Sequence, residues 1–515
     1  MKGEYIMAYV LGIDVGTSAC KTIIVNETGE IVAKATKEYD FIVPRPGWTE
    51  SDPEVWWDAT VDTIKKALEK AAIKPEEIAA IGLSGQMHTL VPLDKNRKVI
   101  RNAIMWNDNR VGKQCDEVHN KVGGEDRLID YVANTALPGY TIGKILWIKE
   151  VEPGNYEKID KFVIAKDYIR YKLTGKIATD VSDASGTCLY DVEKNKWSDD
   201  LINLLEIKKS IFPDVVESPE ISGHLTSEAA SILGLKEGTP VVGGAGDVLA
   251  QAVGTGATEE GIAMLIIGTA GIASVALSKF GRNPGGSLQL FRGGVPGEWN
   301  IFGCTLAAGG SFKWFRDSFG LEEKIIANLS GEDAYNILVN EAMQVEVGAN
   351  GLLFTPYIVG ERCPYTDPNA RGAFVGINVM HDKRAFVRAV LEGIVFSLKD
   401  ALKLIETLGV PLTQVRVSGG GAINPKWRQI QADILGTEVV TVSYSGEGGS
   451  YGAAILAGVG AGFWPSVKEA ARKLLKIETR TMPIAENKSK YEKVYDIYRE
   501  IYYALKKVND KISEL

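Results

Sequence analysis

The sequence predicts an α/β protein of two large domains facing a shared cleft. Three observations carry that expectation. The chain has 515 residues, past the size at which a single core keeps growing. A strand, a small-residue turn and a second strand at 10–32 (VLGIDVGTSACKTIIVNETGEIV) are echoed at 262–278 (IAMLIIGTAGIASVALS), one copy in each half. Two further segments, VRVSGGGAINPKWRQIQADILG (415–436) and GEGGSYGAAILAGVGAG (446–462), read as glycine-rich entries into helices. The boundary is expected near Ala250, giving domains of residues 1–249 and 250–515.

Taken in order, residues 10–14, 22–26 and 31–39 read as three short strands joined by GTS and NETGE, the second being a hairpin signal between apolar runs. Asp52 can cap a helix over 52–71, Pro53 suits its first turn, and Val55, Trp56, Ala59, Ile64 and Leu68 form a mostly apolar face. IAAIGLSGQMHTLVPLD (78–94) is a strand, a glycine-bearing turn and another strand, so strands and helices mix as in an α/β fold. TPVVGGAGDVLAQAVGTG (239–256) is a buried-looking strand and three glycines, with a helix beginning near Val248. A helix is expected from about Pro425. Four glycine turns in all are expected to be able to face a nucleotide, because free N–H groups and the dipole of a first helical turn favour phosphate.

Composition narrows the function. With 45% hydrophobic and 24% charged residues the chain is of the globular class, and no apolar run has membrane-spanning or signal-peptide length, so a cytoplasmic protein with no membrane partner is expected. A formal net charge of −8 and no dense Lys/Arg cluster argue against a nucleic-acid partner. Cys20, Cys115, Cys188, Cys304 and Cys363 form no CxxC pair, and His88, His119, His224 and His381 no HExxH spacing, so reduced thiols are expected and a transition-metal centre is not.

There is no GxxxxGK[ST] P-loop and no well-formed GxGxxG after the first strand. Any one glycine turn is readily structural; the arrangement is what points to phosphate. Asp14 either caps its turn or, beside Gly16, Thr17 and Ser18, addresses a hydrated divalent cation next to amides and hydroxyls suited to phosphate oxygens. Asp247, alone at a strand-to-helix junction, is either a helix cap or a functional carboxylate able to orient an acceptor hydroxyl and take its proton. In SGQMH, Gln86 and His88 each donate and accept hydrogen bonds, while Trp106, Asn107 and Asp108 join an aromatic surface to polar neighbours, as suits a polyol.

The run of motifs GIDVGTSACK, SGQMH, AIMWNDNR, KDYIRYKLTG, SDASGT, GAGDVLAQAVGTG, FTPYIVGERCP, SGGGAINPKWRQIQADILG and EGGSYGAAILA resembles the FGGY family of carbohydrate kinases over nearly the entire chain. SGQMH, WNDNR and KDYIRYKLTGKIATDVSDASGT are most like xylulokinases. The resemblance implies two ribonuclease-H-like domains of the actin, hexokinase and Hsp70 ATPase type, a small-molecule sugar or polyol substrate, and the cofactors ATP and Mg²⁺. It makes Asp247 the catalytic base and Asp14 the carboxylate near magnesium and the phosphates, both within reach of the metal. Gln86, Met87, His88, Trp106 and Asp108 fall in the sugar site; Gly16, Thr17, Ser18 and Lys21 in the first phosphate turn; Gly268 and Thr269 in the second; and Gly310, Gly420, Gly421, Ala422 and Asn424 in the nucleotide segments. The implied reaction is phosphorylation of D-xylulose to D-xylulose 5-phosphate. Sugar is expected mainly on the first domain and ATP mainly on the second, and family members are often dimers or tetramers, so a homodimer is compatible with it. Val248, where relatives often carry a polar residue, and Thr89, where xylulokinases commonly have glycine, depart from the pattern beside the acceptor. L-xylulose, ribulose, gluconate, glycerol or a tetritol are the alternative acceptors. An actin- or Hsp70-like ATPase switch is disfavoured by the polyol-type cluster, and a non-catalytic sugar sensor by the presence of both carboxylates.

Overall fold

In the computed structural model, which describes residues 7–515, the expected meander forms at once. Strands β1 (Tyr9–Val15), β2 (Ala19–Asn26) and β3 (Ile31–Glu38) run antiparallel, and the Asn26 side chain closes the second turn by accepting the Thr28 and Glu30 amides at 3.1 and 2.9 Å. Helix α1 (Pro53–Ala71) starts where the Asp52 carboxylate accepts the Glu54 amide at 3.0 Å, with Pro53 in the first position, where no N–H donor is needed. Its buried Trp56, Ala59, Ile64 and Ala67 face β2 and β3. Strand β4 (Ile78–Gly85) pairs parallel with β1; β5 (Ile221–His224), β6 (Pro240–Val242) and β7 (Ala245–Gly246) complete a sheet of order β5-β6-β4-β1-β2-β3, with β7 beside the end of β4.

Helix α2 (Asp247–Thr255) leads into a second sheet. Its strands are β8 (Ile262–Ile267), β9 (Gly271–Leu277), β10 (Gln289–Arg292), β11 (Trp299–Thr305), β12 (Gln414–Gly419), β13 (Glu438–Val442) and β14 (Ile477–Thr481), in the order β10-β11-β9-β8-β12-β13-β14. The path β3-β2-β1-β4-β6 of the first sheet matches β11-β9-β8-β12-β13 of the second: antiparallel, antiparallel, parallel, parallel. The echo read in the sequence is a shared topology, and the two-domain α/β fold is as expected. Among the second-half helices, α3 (Gly309–Phe319) follows β11, α4 (Lys383–Glu406) covers β9 and β11, and α5 (Pro425–Leu435) follows β12 after one tight turn at Gly420–Ala422.

The segment 446–462 forms a helix as expected, α6 (Gly448–Gly460), and Gly448, Gly452, Gly458 and Gly460 serve its packing against neighbouring elements. Helix α6 lies across β1 and β4 of the first sheet, opposite α1. A Cβ on Gly12 would stand 2.0 Å from the Ser450 carbonyl oxygen and one on Gly82 1.9 Å from that of Ala453. Helix α2 crosses α6 just as closely, since a Cβ on Gly452 would stand 1.8 Å from the Ala250 carbonyl oxygen. Backbone meets backbone at these points, and no larger side chain fits without displacing an element.

Candidate functional site

The ends of β1, β4 and β7 come together at the floor of the cleft. Asp14, next to last in β1, stands opposite Ser84 in β4, and Ser84 Oγ donates to Asp14 Oδ1 at 3.0 Å. On the other flank of β4, Ala245 and Gly246 pair with Ser84 and Gly85, which delivers Asp247, the first residue of α2, to the same end. Both carboxylates keep some contact with cleft solvent while ringed by protein. Burial raises the Asp14 carboxyl against the pull of Ser84 and Lys21. Burial first, and the Asp14 charge second, lift Asp247 to about 7, opposed by the Val248 amide that Asp247 Oδ1 accepts at 2.8 Å.

Beyond Asp14 the turn of Gly16, Thr17 and Ser18 is fixed from both sides. The Gly16 amide donates to the Ala19 carbonyl at 2.9 Å, and the Gly16 carbonyl accepts from Tyr39 Oη at 2.7 Å and Gln86 Nε2 at 3.2 Å. Ser18 is exposed to the cleft, and Lys21 pairs at 2.8 Å with Glu447, just before α6. The first turn of α6 approaches Asp14 so closely that a Cβ on Gly449 would be 2.7 Å from Asp14 Oδ2.

The loop carrying Asp247 is clamped from behind. The Gly246 amide donates to Ser182 Oγ at 2.9 Å, and Ser182 Oγ donates to Asp180 at 2.6 Å. Asp180 is one of three carboxylates, with Asp167 and Asp183, around Lys166 Nζ at 2.7 to 2.9 Å, while Arg170 reaches Asp167 and the Gly243 carbonyl. All five side chains are fully buried, and the excess carboxylate is relieved by Asp183, whose pKa burial drives far up.

The SGQMH turn adjoins Asp247. Met87 packs on Gly246, where a Cβ would meet its side chain at 2.6 Å, and thereby adjoins Asp247. His88 has φ 66° and is ringed by Tyr140 and Phe291 at 4.7 and 6.0 Å. Burial and the nearby Lys144 push its pKa down to about 3, so the ring is neutral. Its Nδ1 lies 2.7 Å from the Gly186 carbonyl and must carry the hydrogen, which leaves Nε2 with a free lone pair. Trp106 is partly exposed, with Nε1–H donating to Thr17 Oγ1 at 2.9 Å, tying the WNDNR segment to the turn of Gly16, Thr17 and Ser18.

Two sequence-predicted sugar residues are placed beneath this surface. Asp108 is fully buried, bound by Arg110 and accepting the Thr49 amide at 2.6 Å, so its carboxylate is consumed in bracing the WNDNR segment. Gln86 is fully buried between the Gly16 carbonyl and Thr89.

In the second lobe, a cavity of about 360 Å³ opens between the second turn and α5. Gly268, Thr269, Gly310, Gly420, Gly421 and Asn424 all line it, with Tyr335 and Trp427 as aromatic walls. Gly309 and Gly310 amides are tied to the carbonyls of Gly268 and Thr269 at 2.8 and 3.0 Å, and Asn424 caps α5 while donating to Asn336 at 2.7 Å. Ala422 is not on this lining; its side chain packs into the second-lobe core, and Ile423 faces the cavity in its place.

Two family models match the chain: the N-terminal domain of the FGGY family of carbohydrate kinases at residues 9–254 and its C-terminal domain at 263–461. The chain belongs to the FGGY family of carbohydrate kinases. It is 38% identical over 507 residues to "Xylulose kinase" of Bacillus subtilis (strain 168), an alignment spanning 98% of this chain and 99% of that protein. A xylulose kinase and a gluconate kinase structure from Lactobacillus acidophilus each superpose with a TM-score of 0.91 at 28% identity, covering 98% of this chain and 100% of theirs. The chain is thus an ATP-dependent sugar kinase.

Sequence reasoning overlooked several parts of this FGGY site. Glu447 sits in a segment whose sequence signal is its glycines, and Ser84 opens SGQMH, where Gln86, Met87 and His88 carry the signal. The cluster around Lys166 had a visible signal, since its five charges, Lys166, Asp167, Arg170, Asp180 and Asp183, lie in a short helix and at the start of its successor among apolar positions. Lys144 donates to the His88 and Gly139 carbonyls at 2.9 and 2.6 Å, and burial brings its pKa down to about 7; a lysine in a largely apolar helix gave no comparable cue.

Proposed function

We propose that this FGGY kinase transfers the γ-phosphoryl group of ATP to the terminal hydroxyl of D-xylulose, giving D-xylulose 5-phosphate and ADP. The observation that carries this reading is the meeting of Asp247, Asp14 and the Met87–His88 turn at the end of one strand, β4. Asp247 takes the proton of the attacking hydroxyl, whose oxygen bonds to the γ-phosphorus as the bond to the bridging oxygen breaks. Its pKa of about 7 suits a base that must be ionised at neutral pH and still hold a proton. Met87 and Trp106 cover the sugar carbons, and His88 Nε2 accepts from a hydroxyl.

The first domain, residues 1–249, takes mainly the sugar; residues 250–515 take mainly the nucleotide, with adenosine in the 360 Å³ cavity. Gly16, Thr17, Ser18 and Lys21 meet the phosphates from one side and Gly268 and Thr269 from the other. Asp14 and Asp247 are the two carboxylates at the cleft floor available to Mg²⁺, and the rest of the ion's shell would come from phosphates and water. When bound, Mg²⁺ neutralises charge developing on the phosphates. Five free cysteines are in keeping with a cytoplasmic setting.

The test is ADP release with ATP and Mg²⁺ across D-xylulose, L-xylulose, D-ribulose, L-ribulose, gluconate, glycerol and erythritol, against a blank without sugar. D-xylulose is expected to give the highest kcat/KM. If gluconate or another acceptor wins, the acceptor is reassigned and Val248 and Thr89 become the first positions to exchange. If none exceeds the blank, the proposal is wrong.

A further inference from the structure

One side chain of the second lobe reaches the acceptor pocket, and its donors are unspent. Arg362 lies in the loop between the short strands Leu353–Thr355 and Ala373–Val375, half-buried, and its guanidinium has no hydrogen-bond or ion-pair partner among the described residues. Beside a cleft, such a group keeps its five N–H donors available to a bound ligand. Its base is held firmly. The neighbouring Glu361 carboxylate accepts from Thr305 Oγ1, from the Leu306 amide and from the Arg362 amide itself at 2.5, 3.1 and 2.7 Å. Glu361 also pairs backbone to backbone with Asp367, which in turn accepts from Tyr502 at 2.8 Å. From this support the guanidinium crosses to the first lobe, where Nη2 lies 3.9 Å from the point a Cβ on Gly139 would occupy, beside the Trp106 carbonyl at 3.1 Å.

Its position along the pocket is set by its neighbours. Gly139, which Nη2 approaches, adjoins Tyr140, whose ring lies 4.7 Å from that of His88, whereas Asp247 follows directly on Gly246. Met87 lies between, packed on Gly246. The guanidinium therefore faces the end of the pocket remote from the phosphorylated hydroxyl. We propose that Arg362 is a specificity-determining residue whose planar fork binds two oxygens on adjacent carbons at the unphosphorylated end of the acceptor, the hydroxyl and carbonyl of a 2-ketose. A bidentate guanidinium matches vicinal oxygens, and a lysine does so only as a point charge. Because Arg362 belongs to the second lobe, sugar bound to the first lobe draws the two together through it.

This inference rests on the sugar-kinase reading, and its test separates the two. Wild type, Arg362→Met and Arg362→Lys are assayed with the acceptor that the panel above selects and with an analogue lacking the oxygen at its far end, 1-deoxy-D-xylulose in the case of D-xylulose. Wild type is expected to prefer the full acceptor by about ten- to a hundredfold in kcat/KM, the range for a hydrogen bond to a charged group. Arg362→Met should raise the acceptor KM by a similar factor, leave the ATP KM unchanged, and bring the two acceptors to near equality; Arg362→Lys should recover part of the preference. A thermal melt equal to wild type sets aside misfolding, and the lysine variant supplies the comparison if the methionine variant does not fold. The inference is overturned if the preference is the same with Met or Lys at 362 as with Arg, or if the ATP KM moves in place of the sugar KM. If wild type phosphorylates no acceptor in the panel, the sugar-kinase reading and this one both fall.

Discussion

The two lobes carry the same turn at the same place, and they differ at one residue that matters. In the first, β1 ends in Asp14-Val15 before Gly16-Thr17-Ser18; in the second, β8 ends in Ile266-Ile267 before Gly268-Thr269-Ala270. Both turns close on themselves through the first glycine amide, which donates to Ala19 at 2.9 Å in one and to Ala270 at 3.0 Å in the other. Even the neighbouring strand agrees: Asp14 is registered on Ser84, and Ile266 on Ser418. The first serine hydrogen-bonds to a carboxylate, while the second accepts from Gln251 of α2 at 3.2 Å. A duplicated scaffold has thus kept its small-residue turn twice and its charge once. Two carboxylates already meet at the cleft floor, and one at position 266 would add a third negative charge to the cleft.

The sharpest way to break this asymmetry is to remove the charge beside it. Asp247→Asn should lower kcat by about 10²–10⁴-fold, the usual worth of a general base, with sugar and ATP still bound in calorimetry. The same variant should melt higher than wild type at pH 8. A carboxylate whose folded pKa is raised from 3.8 to about 7 favours folding when protonated, and that advantage is lost as pH rises through the window between the two. A lower melt at pH 8 would show Asp247 to be a structural cap. Making the first turn like the second, by Asp14→Ile or the milder Asp14→Asn, should cost about 10²–10³-fold in kcat and raise the Mg²⁺ concentration needed for half-maximal rate. An unchanged magnesium requirement would erase the functional difference between the turns.

A smaller effect is a pH profile. In wild type, kcat/KM for the sugar should fall tenfold per unit below about pH 7, as Asp247 takes up a proton, and the limb should vanish from the residual activity of Asp247→Asn. Smallest is Thr89→Gly. Thr89 Oγ1 donates to Gln86 at 3.1 Å and accepts the Trp106 amide at 3.2 Å, so it couples the acceptor segment to the Gly16 turn, and the second lobe has no such link. Its loss should raise the sugar KM several-fold and lower stability by about 1–2 kcal/mol, read by steady-state kinetics and denaturant titration.

Much of this scaffold was legible because local rules and tertiary need agree in it. The meander, the Asp52 cap with Pro53, the helix from Pro425 and the repeated turn each follow from alternation, capping or glycine at a bend. Asp14 and Asp247 were visible as lone carboxylates at strand ends. What the chain does not print locally is which surface a small-residue helix will meet. Gly448 to Gly460 looked like a phosphate cradle and is chiefly a packing face. Asp108 looked like a sugar ligand because its partners, Arg110 and the Thr49 amide, are fixed only when the 42–50 segment folds back on 103–108. Arg362 and Lys144 reach the site from segments distant in sequence, so no spacing advertised them.

The close seat of α6 on Gly12 and Gly82 bears on how the protein is made. Strands β1 and β4 leave the ribosome early, but the helix that covers their inner face is translated close to the end of the chain. The amino-terminal lobe therefore waits, one face bare, until the carboxy-terminal lobe has been synthesised. A chain stopped before Gly448 lacks the helix seated on Gly12 and Gly82, and it is expected to be retained by a chaperone in a pull-down where the full chain is not.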